Sequence, residues 1–250
     1  MYPSSYQNLC EDPFRYTDFK LALESLRDAF HNGPVYALLL GESGTGKTSL
    51  LRTLQAELDP TRFRVLYLCH GQPSPSGLAR FLADAFHLPL HRSRAETSSL
   101  LVHALRNLPS HPVLWIDEAK MIRDDTLHEI RLLAEADLNG PPLFSVLLCA
   151  LPELKDRLLG PDLFPLWRRI SLRLTLTGLL REEVEPFLIH SFQEDILSRF
   201  SSEALSSIFE LARGVPALVQ SFAAHCISAS NDHLITADLV IDLLEDSHII

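Results

Sequence analysis

Residues 35–54 read VYALLLGESGTGKTSLLRTL: a short apolar run, a glycine-rich octapeptide and the start of an amphipathic pattern. The octapeptide, residues 41–48, fits G-x-x-x-x-G-K-[ST], with Gly41, Gly46, Lys47 and Thr48 in the defining places. Glycine lets a backbone curl around an anion so that successive N–H groups point inward, and the loop feeds a helix N-terminus that also favours negative charge. The predicted cradle runs through Gly41, Glu42, Ser43, Gly44, Thr45, Gly46, Lys47, Thr48 and Ser49. Lys47 would reach the β and γ phosphates of a nucleotide, and the Thr48 hydroxyl would ligate Mg²⁺. Context separates this reading from a bare glycine turn. Residues 35–40 have the length and continuous apolarity of a strand buried on both faces, and Leu50, Leu51 and Leu54 follow at helical spacing.

A second motif narrows the class. VLWIDEAK, residues 113–120, is another apolar run, and it ends in Asp117 and Glu118. An aspartate at the C-terminal end of such a strand can hold Mg²⁺, and the glutamate beside it can orient and deprotonate an attacking water. The bland alternative is an acidic cap for a helix starting near Asp124. The run FRVLYLC, residues 63–69, lies between the two motifs, which favours the P-loop proteins whose catalytic Glu adjoins the metal-binding Asp over the nucleotide kinases.

Working outward, two further runs read as strands, 143–150 (LFSVLLCA) and 170–176 (ISLRLTL). The last alternates apolar with polar residues, as expected of a strand with one less protected face. Helical patterns separate the runs at 48–58, 76–87, 96–108, 124–137 and 153–159, after a first helix at 18–30 with Asp18 as its cap. Strands alternating with helices predict an α/β domain with a mainly parallel sheet covered on both sides. Beyond Gly178 only helices are predicted, at 181–193, 202–212, 217–230 and 237–245, the last capped by Thr236 with Leu239, Val240, Leu243 and Leu244 on one side. The expected division is 1–178 as a nucleotide-binding domain and 179–250 as a helical lid.

Composition bounds the rest. Of 250 residues, 46% are hydrophobic and 22% charged, ordinary for a folded globular chain. The four cysteines are scattered, with neither a disulfide framework nor zinc spacing. His87 and His91 are four apart, but Pro89 between them breaks the helix a zinc pair would need. No basic, apolar leader opens the chain and charges interrupt every apolar run before bilayer length, so the expectation is a cytoplasmic protein with no membrane partner. A formal net charge of −10, from 22 basic and 32 acidic residues, argues against a general nucleic-acid coat but allows a local basic patch.

GESGTGKTSLL, VLWIDEA, LLCALPELKDRL, RISLRLTLTGL and ARGVPALV occur in that order. With them the chain resembles an AAA+ ATPase, and within that superfamily the group of ExeA-type secretion ATPases and the TnsC- and MuB-like ATPases encoded beside transposases. The resemblance implies a sheet of order 5-1-4-3-2 and a helical lid, with ATP and Mg²⁺ held between them. It implies self-assembly into a ring or helical filament, and for the transposition members duplex DNA and a transposase as partners. It also implies that Phe14 and Tyr16 of EDPFRY lie near the adenine, with simple core anchors as the competing reading, and that Pro216 of the GVPA segment belongs to the nucleotide site. Arg168 or Arg169 would act on a neighbouring subunit's γ-phosphate, with Arg168 preferred because Arg169 is nearer the strand; a solvated or ion-paired helix end is the competing reading of the pair.

Two positions depart from the group's pattern. Leu151 stands where a polar sensor is expected after the fourth strand, with Cys149 or Ser145 as weak substitutes. Ala217 stands where the lid usually carries an arginine, with Arg213 as a possible replacement. Both departures point to slow turnover rather than lost binding. Candidate DNA contacts are His87, His91, Arg92 and Arg94 in HLPLHRSRAE, and Lys120 with Arg123; ordinary solvated charge is the competing reading of each. Trp115, Trp167 and His225 read as packing or surface residues. Three functions therefore stand at this point: a DNA-assembled regulator of a transposase, an ExeA-like energy-coupling ATPase, and an ATP-sensing adaptor that scarcely hydrolyses. The secretion proteins of the group continue into transmembrane and peptidoglycan-binding segments, which by this reading favours the first.

Overall fold

In a computed structural model, residues 12–68, 73–91, 93–137, 140–192, 194–230 and 233–246 are described. In chain order the elements are α1 (Thr17–Asn32), β1 (Tyr36–Gly41), α2 (Lys47–Glu57), β2 (Phe63–Leu68), α3 (Pro75–Ala85), α4 (Arg94–Arg106), β3 (His111–Ile116), α5 (Asp124–Ala134), β4 (Ser145–Ala150), α6 (Leu154–Leu159), α7 (Phe164–Trp167), β5 (Leu172–Leu176), α8 (Val184–Phe192), α9 (Ser202–Ala212), α10 (Pro216–Ala229) and α11 (Ala237–Asp246). They fall into two compact units, one of Ala22–Gly41 with Leu54–Thr175, the other of Met1–Leu21, Glu42–Thr53 and Leu176–Ile250.

The first unit holds the sheet, in the order β2-β3-β4-β1-β5, which is the predicted 5-1-4-3-2 counted from the other edge. β4 runs parallel to both its neighbours, with Leu40 opposite Ala150 and Ile116 opposite Leu148. Every residue of β1 and β4 is buried, as a parallel sheet covered on both faces requires. The edge strand β5 alternates half-buried and exposed positions, which is why its sequence alternates too. On one face Leu38, Leu114, Val146 and Leu148 share a core with Leu78 and Leu82 of α3, Leu101 of α4, and Leu127 and Ile130 of α5. By alternation Ala37, Leu39, Trp115 and Leu147 occupy the opposite face, equally buried.

The second unit gathers α8–α11, with α9 packed on α10 and α11. It is not wholly helical beyond Gly178 as expected. Phe200 and Ile235 form an isolated parallel bridge, with Ser201 N–H donating to Ile235 O at 2.9 Å and Ile235 N–H to Arg199 O at 2.7 Å. A single bridge has no period for a sequence pattern to show. Gly178 (φ 119°) lies against the Gly214 carbonyl so closely that a Cβ there would come within 2.4 Å of the oxygen, and Leu179 N–H donates to the same atom at 2.7 Å. Only glycine permits that approach.

Several boundaries move for physical reasons. Asp18 does not cap α1. The Thr17 amide and hydroxyl both donate to Glu183 Oε1 at 2.7 Å, and the Asp18 carboxylate instead accepts from Thr177 N–H at 3.0 Å. A carboxylate brought to the helix start from far along the chain serves the orphan amide and the dipole as well as a local cap would. Residues 181–183 form a 3-10 turn ahead of α8, and α5 stops at Ala134, short of the predicted 137. The short α7 went unread because four residues carry no periodicity; Pro165 sits at its start. Cys149 and Cys226 are buried cysteines outside any disulfide, and burial pushes the Cys226 thiol up to about 11. Cys10, Cys69 and the Leu244 side chain lie outside the described residues.

At the start of β3, His111 Nε2 sits 2.8 Å from Ser145 Oγ, which accepts the Val35 N–H at 3.0 Å. Burial holds the His111 pKa below its usual 6.5. The unfolded chain therefore binds this proton more readily than the folded one, so stability is lost as pH falls below about 6.5 and the loss levels off beneath the folded value. We expect the urea midpoint to fall between about pH 7 and pH 5, and His111→Gln to flatten that slope. Equal slopes in the two proteins would remove His111 as the cause.

Candidate nucleotide-binding site

β1 ends at Gly41 and the chain turns at once into the loop that precedes α2. The Glu42 carbonyl holds this loop together, accepting the Thr45 N–H at 3.3 Å, the Thr45 hydroxyl at 2.9 Å and the Lys47 ammonium at 3.0 Å. Gly44 and Gly46 take the left-handed backbone, φ 84° and 96°, that the curl requires. Gly44 is further confined by α10. A Cβ there would lie 2.7 Å from Ala217 Cβ, and the Ala217 N–H donates to Gly44 O at 3.3 Å. Behind the loop the buried Tyr16 hydroxyl donates to Thr45 O at 2.8 Å. Burial, then the charges of Asp18 and Glu183, push its pKa far up, so it remains a donor. Glu42, Ser43, Gly44 and Thr48 face solvent, Gly46 and Ser49 are half-buried, and Lys47 is buried along its stem.

The acid pair belongs to the sheet unit. Asp117 follows β3, and its N–H donates to Leu68 O at 3.3 Å. Its two carboxylate oxygens are separately engaged, Oδ1 by the Glu118 N–H at 3.0 Å and Oδ2 by the Tyr67 hydroxyl at 2.9 Å. Glu118 is exposed and left-handed, at φ 51° and ψ 41°. It therefore does not cap the helix after it; α5 begins after Arg123. Gly41 and Asp117 leave the same, C-terminal edge of the sheet, from strands on either side of β4. In open α/β sheets this edge is where ligands bind.

The remaining predicted residues separate. Arg169 Nε pairs with Glu135 at 2.7 Å, whereas Arg168 at the end of α7 is exposed and makes no ion pair among the described residues. The Phe14 ring packs edge-on against Phe187 and beside His190, both at 5.6 Å. Pro216 is the first residue of α10. Ser145 cannot replace the missing sensor, because it starts β4 at the end of the strand opposite the loop and is bonded to His111 and Val35. Cys149 is wholly buried, and Leu151 follows β4 half-buried. Arg213 is exposed in the left-handed position that ends α9.

The basic candidates are largely engaged. Lys120 lies 3.6 Å from Glu153, Arg123 pairs with Asp125 at 2.8 Å, and His91 lies 3.4 Å from Glu96. His87, at φ 55°, closes the end of α3, with Leu88 N–H reaching Ala83 O at 2.8 Å. Arg92 and the Arg94 side chain lie outside the described residues. Trp115 is buried, Trp167 lies under the Arg173 guanidinium at 4.0 Å, and His225 is half-buried. Two supporting residues escaped the sequence reading. Tyr67 was readable in principle, a polar aromatic near the end of a mainly apolar run, while Glu183 acts across too many residues for any local signal.

The loop by itself fits a phosphate ligand, with an exposed Thr48 and a lysine buried along its stem. The Thr48 hydroxyl and, in the sheet unit, the Asp117 carboxylate are each oxygen donors of the kind Mg²⁺ prefers. Strand, phosphate loop and helix, with an acid-tipped strand one place beyond the neighbouring strand of the same parallel sheet, define a P-loop nucleotide-binding protein. Residues 32–158, just over half of the chain, match the family model described as AAA domain, and the chain belongs to that family. It is 28% identical over 216 residues to general secretion pathway protein A of Aeromonas hydrophila, a match covering 84% of this chain and 39% of that protein. The chain thus spans about two-fifths of that relative. Its fold is shared with Cdc6p from Pyrobaculum aerophilum (TM-score 0.66, 22% identity, 93% of this chain and 68% of that one). It is also shared with the Aeropyrum pernix Orc1 protein in complex with DNA (TM-score 0.61, 17% identity, 98% and 68%).

The crowding at Gly44 is testable. Gly44→Ala should lower the melting temperature and weaken ATP binding by about tenfold or more, because the new methyl meets Ala217 at a backbone angle that costs about 1–2 kcal/mol for a residue with a Cβ. Calorimetric titration and thermal melts measure both. Unchanged values would mean that the loop and α10 do not meet in solution.

Proposed function

We propose that the chain is a Mg²⁺-dependent ATPase whose bound nucleotide switches its assembly and its grip on a partner. The observation that carries this reading is the loop itself, closed by three donors on the Glu42 carbonyl and leading straight into α2. Its amides and Lys47 bind the β and γ phosphates. Thr48 and Asp117 hold the cation, which when bound would draw charge from the phosphate oxygens as the terminal P–O bond breaks. Glu118 accepts a proton from the attacking water. Residues 179–250 act as the lid, with Pro216 and the start of α10 against the loop, and Phe14 stands on the adenine side. In a ring or filament of identical chains Arg168 serves the neighbour's γ-phosphate; the Arg169–Glu135 pair supports choosing Arg168. With Leu151 and Ala217 at the sensor places, turnover is slow or partner-stimulated.

For the partner, the likeness to a secretion-pathway protein supports an energy-coupling role at the cell envelope, acting from the cytoplasm. No helix among the described residues is long and apolar enough to cross a membrane. The ion pairs of Lys120 and Arg123, and the Glu96 carboxylate beside His91, favour this over a DNA grip. A second reading, assembly on duplex DNA to recruit or control a transposase, draws support from the fold shared with an Orc1 protein in complex with DNA.

Steady-state phosphate release separates these readings. Turnover that rises with duplex DNA supports the DNA-assembled regulator, turnover indifferent to DNA supports energy coupling, and tight binding with no turnover leaves an ATP-sensing adaptor. Lys47→Ala should abolish nucleotide binding, and full affinity in that variant would refute the phosphate assignment. Glu118→Gln should keep ATP bound and lower turnover by about a hundredfold or more; unaltered turnover would remove it as the base.

A further inference from the structure

Glu118 has to hold an unfavourable backbone. A left-handed conformation is strained for any residue with a Cβ, and it persists only where its surroundings enforce it. The segment after it, a 3-10 turn at Ala119–Met121 running on to α5, is tied to Glu118 through Met121 N–H on Glu118 O at 2.8 Å and Ile122 N–H on Ala119 O at 3.2 Å. Both ends of the segment are seated, since Ala119 and Ile122 are buried. Two of the segment's carbonyls, those of Lys120 and Ile122, are bound from another element.

One side chain gathers them. Arg157, on α6, donates from Nη1 to Lys120 O at 2.7 Å, from Nη2 to Ile122 O at 2.5 Å, and from Nε to Asp124 Oδ1 at 2.8 Å, with Nη2 also on Asp124 Oδ1. A planar guanidinium can serve two carbonyls and a carboxylate at once; an ammonium cannot do so with the same fixed spacing. Lys120 adds a second tie to the same region through Glu153, just before α6.

We infer that Arg157 is a positioning residue for Glu118, fixing the turn that keeps this carboxylate in its left-handed setting. The inference rests on the reading of Glu118 as the base. Arg157 touches neither nucleotide nor water in this scheme, so its loss acts on the chemical step and not on phosphate binding. It also links the segment after β4 to the acid pair after β3, so a change in one is felt in the other.

The test uses Arg157→Lys, with Asp124→Asn as a milder second variant should the first fold poorly. Three quantities are measured on the full chain: ATP affinity, the split of kcat from KM, and hydrogen exchange of the peptide spanning 117–124. We expect ATP affinity and KM within about twofold of wild type, kcat down by about tenfold, and faster exchange at Met121 and Ile122 with the loop at 41–48 unchanged. In a Glu118→Gln background the Arg157 change should have no further effect on residual turnover, whereas a general structural defect would lower it again. Normal wild-type turnover with an Arg157→Lys protein that matches it in kcat or in exchange overturns the positioning role alone. A wild-type protein that binds ATP and releases no phosphate overturns the role of Glu118 as base and this inference with it.

Discussion

Three hydrogen-bond donors meet at the Glu42 carbonyl, and the rest of the nucleotide site depends on that meeting. A polyphosphate is bound by backbone amides only if the chain presents them on one side of a tight curl, and a curl that tight has nowhere to put side chains on its inner turns. Gly44 and Gly46 meet this demand through their left-handed angles. Thr45 meets it by folding its own amide and hydroxyl back onto Glu42. Tyr16 then closes the loop from behind at Thr45 O, and the start of α10 closes it at Gly44. Each neutral hydrogen bond adds about 0.5–1.5 kcal/mol, and together the contacts pre-form a loop that would otherwise have to be ordered by its ligand.

The acid pair is built on the opposite logic. Asp117 and Glu118 are adjacent in sequence yet differ in backbone and in partners. Asp117 is fixed by hydrogen bonds to both carboxylate oxygens, one of them from Tyr67 on β2. Glu118 is exposed and held only through its backbone, by a turn that answers to α6. A metal ligand benefits from being immobile, whereas a base has to stay accessible to water, and the two settings suit the roles proposed for Asp117 and Glu118.

The places of the loop and of the acid pair in the fold were legible because their signals are local. The octapeptide carries its own loop geometry, and the aspartate and glutamate follow an apolar strand directly, so residue type and spacing sufficed to locate them. The sheet order came from a resemblance and not from periodicity. What stayed hidden depends on residues distant in sequence. The cap on α1 comes from Glu183, the seat of Asp117 from Tyr67, and the seat of the turn after Glu118 from Arg157. Expectations failed in the same places, with Asp18 bonded to Thr177 instead of capping its helix and Ser145 committed at the far end of β4.

By itself the sequence determined that a phosphate loop would sit between a buried strand and a helix, that an acid pair would end another strand, and that helices would follow the sheet. Hydrophobic period and glycine placement act over a few residues, so a linear reading captures them. Only the tertiary structure decided which cations are spoken for and which acid is rigid, and that the alanine in the place of a lid arginine packs against Gly44. Those outcomes depend on which side chains meet across the fold, and the distance between two atoms in space is not written in their separation along the chain.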